Sequence, residues 1–129
     1  MTFAITSLYA SIFTLMLIVL SNIVSARRGK TGLSILHGED MQLAYAIRRH
    51  GNFVETVPFA LILMLLAESA AMPVLPLHAA GILLVVSRIA HIFGLKADGK
   101  MHFLRIAGGV GTQLAMLSLV IYLCWTILQ

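Results

Sequence analysis

The sequence predicts an all-α membrane protein, a bundle of four transmembrane helices. Three observations lead there. Hydrophobic residues make up 60% of the 129 residues, charged residues only 11%, and mean hydropathy is +0.97. A soluble domain carries roughly 25% charged residues, so this chain has too few to clothe a water-facing surface. The apolar residues also fall into four runs, each close to the ~20 residues needed to cross a hydrocarbon core. Finally, every Lys and Arg lies in or beside the first or third connection between those runs.

The runs define one transmembrane domain over residues 1–129, with spans at about 2–24, 53–72, 77–95 and 106–128. The first contains no charged side chain from Met1 to Ala26. Val24-Ser25-Ala26 looks like a cleavage site. A signal peptide is nevertheless disfavoured, because no positive segment precedes the run and the run is too long. The second span continues a helix expected to start near Asp40, an N-cap before Met41-Gln42-Leu43. Pro58 is expected to kink it. Pro73 and Pro76 mark a short turn before the third span. The polar segment Lys96-Ala97-Asp98-Gly99-Lys100 precedes the fourth. Gly108, Gly109, Gly111 and Thr112 put small residues on that last helix, where they allow close packing.

Arg27, Arg28, Lys30, Arg48 and Arg49 flank the first connection; Arg88, Lys96, Lys100 and Arg105 flank the third. The positive-inside rule then expects both connections in the cytoplasm and both termini on the other side. The short loops suit a bacterial inner membrane. The net charge of +4 is basic, but the cations flank apolar runs and form no stripe with interleaved aromatics, so nucleic-acid binding is excluded. Cys124 is the sole cysteine. No His or Cys pair has metal-ligand spacing, and no phosphate loop or Ser/His/Asp set appears.

Ionisable residues within spans are costly and commonly functional. Arg48, Asn52 and Glu55 follow i, i+4, i+7 spacing and share one helix face. Arg88 and His91, three apart, share another, and Arg105 opens the fourth helix. Arginines can fork to carboxylates, Glu55 can take an ammonium, and Asn52 can bond peptide groups. The set therefore suits a zwitterionic ligand. Snorkelling to lipid headgroups is the plainer reading of Arg48, Arg49 and Arg105. Glu68, near the far end of the second helix, is expected to face water, and His78 to be interfacial.

Arg48-Arg49-His50-Gly51-Asn52-Phe53-Val54-Glu55, followed by Pro58, resembles the R-x-x-x-N-x-x-E signature of the MAPEG family, the membrane-associated proteins in eicosanoid and glutathione metabolism. Ser25-Ala26-Arg27-Arg28 is similar to the end of helix one in leukotriene C4 synthase. Ser87-Arg88-Ile89-Ala90-His91-Ile92-Phe93-Gly94 resembles the family's third helix. The resemblance covers nearly the whole chain. It implies a homotrimer that binds glutathione between subunits as co-substrate, with contacts at Arg27, Arg48, Asn52, Glu55, Arg88 and His91. Arg105 would stabilise the thiolate and so be the catalytic residue. A cation beside a thiol favours the thiolate, which is the nucleophile.

Thr56 stands where the eicosanoid enzymes carry tyrosine, and His91 and Leu95 replace two tyrosines of their third helix. These departures point away from leukotriene or prostaglandin synthesis. They leave a glutathione transferase, with peroxidase activity also open, that conjugates hydrophobic electrophiles in detoxification. A non-catalytic lipid- or thiol-binding scaffold is the alternative. A small multidrug-type transporter is a distant third, because the first span lacks the acidic residue those transporters share.

Overall fold

The computed structural model describes residues 3–96 and 102–129; Asp98 and Lys100 of the third connection lie outside the described residues. Four helices follow one another: α1 (Ala4–Thr31), α2 (Met41–Ser69), α3 (Val74–Gly94) and α4 (Phe103–Ile127). All four are long and apolar enough to cross a membrane. The chain is a four-helix membrane bundle built from two hairpins, α1 against α2 and α3 against α4, with α1 beside α3 and α2 beside α4.

α1, α2 and α4 run past the expected spans at one end of the bundle, called the polar end below. There α1 continues through Arg27, Arg28 and Lys30 to Thr31. Cations in a last turn are favoured by the helix dipole, and Gly32, at φ 69°, closes the helix in the left-handed conformation that glycine adopts freely. Asp40 caps α2, accepting from the Gln42 and Leu43 amides. Pro58 lies inside α2, which remains helical to Ser69. α4 starts at Phe103, so Arg105 belongs to its first turn.

Phe13, Phe53, Met64, Leu77, Leu84 and Leu119 fill the centre. Leu15, Phe59, Val86 and Ile121 face outward, as expected where lipid is the solvent. Burying apolar groups drives little helix association in lipid, so close packing must hold the helices together. The α3–α4 contact is the tightest. A Cβ at Gly108 would meet the His91 amide and the Ser87 carbonyl at 2.5 Å, and one at Gly111 would strike the Ser87 hydroxyl. Gly94 in turn lies against the Arg105 backbone. Gly109 points away, with nothing within 4 Å of its Cβ position.

Polar ties close the ends. Glu68 does not face water as expected. Its carboxylate accepts from the Ile5 and Thr6 amides at 3.0 and 2.8 Å, satisfying the open N-terminus of α1. His78 is likewise held, its Nδ1 3.0 Å from the Tyr9 hydroxyl. At the polar end Arg27 grips Asp40 through two bonds of 2.7 and 2.9 Å. Arg49 is no free headgroup cation: Nε donates to the Leu95 carbonyl at 2.9 Å, and Nη2 donates to the same oxygen.

Two outcomes follow. Gly108→Ala should destabilise the bundle by about 1–3 kcal/mol, because backbone cannot yield to the new methyl. Gly109→Ala should be neutral or stabilising by up to about 1 kcal/mol through helix propensity; thermal unfolding in one detergent compares them. Asp40 is held below the usual carboxylate range, first by the Arg27 hydrogen bond and then by the Leu43 and Gln42 amides. A lowered folded pKa stabilises above the unfolded value and is lost as pH falls through the folded one. The protection of the Gln42 and Leu43 amides against hydrogen exchange, relative to their intrinsic rates, should therefore fall below about pH 4, and Asp40→Asn should remove that dependence.

Candidate functional site

The expected stripe on α2 meets α3 through its middle member. Arg88 is 3% exposed, and its Nη1 donates to Asn52 Oδ1 at 2.9 Å. Its Nε is buried with no partner among the described residues. The flanking members of the stripe turn outward. Arg48 Nη1 lies 3.5 Å from Glu55 Oε1, with side chains 61% and 57% exposed. A long, exposed pair of this kind contributes little to stability and leaves both groups available to a ligand.

His91, one turn after Arg88 on α3, is buried. It lines a hollow of about 260 Å³ with Arg105, Ile106, Gly109, Val110 and Gln113. Arg105 shares that hollow with its ring, and Arg88 precedes it by one turn on α3. α4 delivers Arg105 because Gly94 and Gly108 let it approach α3 so closely. The result is three cations, one carboxylate, an imidazole and an amide gathered from three helices at one end of the bundle. Such a set attracts anions, and each guanidinium presents a planar fork matched to carboxylate.

Arg27 is not part of this constellation within the chain. It lines a separate hollow with Lys30, Gln42 and Arg49 and is engaged by Asp40. Asn52, expected to bond a ligand's peptide groups, is the acceptor for Arg88. Gln113 was missed from sequence; its amide within the charge-free part of α4 was the available signal. Among the described residues no group of His, Cys, Asp and Glu could hold a metal ion.

Comparison with known proteins agrees with this architecture. The MAPEG family model matches residues 6–125. The inner membrane protein YecN of Escherichia coli K12 is 31% identical over 121 residues, covering 94% of this chain and 91% of that protein. YecN of Escherichia coli O6:H1 matches with the same identity and coverage. No solved structure matches. With its four spans, its α2 polar stripe and a family match over nearly its full length, the chain belongs to the MAPEG family.

Proposed function

We propose that this protein is a membrane-bound glutathione transferase that joins the glutathione thiolate to hydrophobic electrophiles arriving from the bilayer. The observation that carries the reading is the α2 stripe, its Arg48–Glu55 pair exposed and its Asn52 bonded to the buried Arg88, set at the same end of the bundle as the hollow that His91 and Arg105 line. Glutathione has two carboxylates, one ammonium and one thiol. Arg48 suits a carboxylate and Glu55 the ammonium. Arg88, fixed by Asn52, supplies a buried positive field. Arg105 is exposed at the mouth of the His91 hollow, where its charge lowers the free energy of a thiolate. The thiolate sulfur then bonds to the electrophilic carbon, and the leaving group departs with the electron pair of the broken bond. The same nucleophile also reduces a hydroperoxide: the sulfur takes the terminal oxygen, the O–O bond breaks to release the alcohol, and a second glutathione converts the sulfenic acid to the disulfide and water.

Arg48 and Glu55 stand exposed on a single chain, which supports closure of the site by further copies in a homotrimer. The cation distribution supports both termini on the non-cytoplasmic side of an inner membrane, the membrane named for the Escherichia coli relative.

The second reading is a binding protein without turnover. It is favoured by the Arg88–Asn52 bond, which would keep the site's shape whether or not Arg105 reaches a thiol. Titration of detergent-purified protein with glutathione, followed by thiolate absorbance, separates the two. Glu55→Gln should weaken binding about tenfold, the scale of one charge-assisted hydrogen bond. Arg105→Ala should abolish the thiolate signal and lower kcat/KM for a model electrophile about 100-fold, comparable to losing one anion-stabilising donor. Binding with no thiolate signal in wild type would establish the binding protein. No binding at all would overturn the glutathione assignment.

A further inference from the structure

The α1–α3 side of the bundle carries a second feature unrelated to the His91 site. Between these helices runs an apolar groove of about 410 Å³, walled by Leu15, Val19 and Ile23 of α1 and by Ile89, Ile92 and Phe93 of α3. Five of those six side chains are exposed on the chain, Leu15 at 65% and Phe93 at 67%. At its polar end the groove reaches Arg49. There it joins the second hollow, of about 290 Å³, lined by Arg27, Lys30, Gln42 and again Ile23 and Arg49. Ile23 and Arg49 therefore line both spaces, which adjoin there as a basic head and an apolar tail.

The charge balance of the head is specific. Asp40 is its neighbouring carboxylate and is matched by Arg27. Lys30 and Arg49 remain, giving two uncompensated positive charges beside the Gln42 amide. Arg49 is fixed in place because two of its nitrogens bind the Leu95 carbonyl at the end of α3. The tail runs along α1 from Ile23 to Leu15, about 12 Å at 1.5 Å per residue, and contains no polar side chain apart from Arg49 at its mouth.

We propose that these adjoining spaces are a binding site for one anionic phospholipid, its phosphate at Lys30, Gln42 and Arg49 and an acyl chain in the α1–α3 groove. Charge complementarity selects the occupant. A neutral lipid would fill the tail and leave the two cations unmatched. A soluble phosphate would match the cations and leave the tail uncovered. A phospholipid with net negative charge satisfies both ends. The site lies apart from the Arg48–Glu55 pair on α2, so it stands or falls independently of the glutathione reading.

The test is native mass spectrometry of the full-length protein in detergent, with phosphatidylglycerol and phosphatidylcholine added at equal concentration. Wild type should retain phosphatidylglycerol about 25-fold better, at about fivefold for each of two cations near an anionic headgroup. Lys30→Gln, at an exposed position on the last turn of α1, should cut the preference to about fivefold. Val19→Trp and, separately, Ile89→Trp should remove adducts of both lipids by filling the tail. Glycerol 3-phosphate should not displace the bound lipid. Equal retention of the two lipids, an unchanged preference in Lys30→Gln, or displacement by glycerol 3-phosphate would each overturn the proposal. So would a wild-type oligomer free of lipid that Val19→Trp dissociates, since the groove would then be a contact between copies of the chain. Lys30→Gln leaves the packed interior untouched and keeps the test decisive if a tryptophan variant fails to fold.

Discussion

A guanidinium buried in a membrane bundle must find its partners among neighbouring side chains, because neither water nor lipid tails can supply them. Arg88 does so through Asn52, and much of the polar end is arranged around that bond. It joins α2 to α3 at one height. It turns the middle of the α2 stripe inward and leaves Arg48 and Glu55, one turn to either side, facing out. It also places His91, one turn later on α3, where α4 can bring Arg105 to it. Because Asn52 is a neutral partner, the charge of Arg88 adds to a site already dominated by cations.

The close approach of α4 to α3 is the second half of that arrangement. Small residues are used where backbones nearly touch, at Gly94, Gly108 and Gly111. In a bilayer this contact replaces the hydrophobic effect as the source of cohesion. Thr112 belongs to the same seam; its buried hydroxyl donates to the Gly108 carbonyl at 2.7 Å and so needs no partner from another helix. The outward apolar side chains, by contrast, are free to serve lipid or further copies of the chain.

Much of this was legible beforehand because it depends on period and composition. Apolar run lengths marked the four helices, and Asp40 before Met41 marked the start of α2. The i, i+4, i+7 spacing put Arg48, Asn52 and Glu55 on one face. What could not be read depends on which helix lies beside which. Glu68 looked like a surface acid because its partners, the Ile5 and Thr6 amides, are backbone groups more than sixty positions away. Arg49 looked like a headgroup anchor because the Leu95 carbonyl carries no mark in the sequence. The bond of Arg27 to Asp40, thirteen residues on, was equally hidden, because the resemblance places Arg27 with a ligand and says nothing of its partner within the chain.

The positions of two of these ties have a kinematic consequence. α1 is fastened to α2 at both extremities, by Glu68 at its first turn and by Arg27–Asp40 at its last. A rod pinned at both ends to its neighbour can neither slide along it like a piston nor swing away from one end like a door. The α1–α2 hairpin therefore behaves as a stator. The α3–α4 hairpin is tied to it by Tyr9–His78 near one end and by Asn52–Arg88 and Arg49–Leu95 near the other, so opening the bundle between the two hairpins means breaking one of those bonds. Arg49, reaching from the fixed pair to the end of α3, is one of those latches.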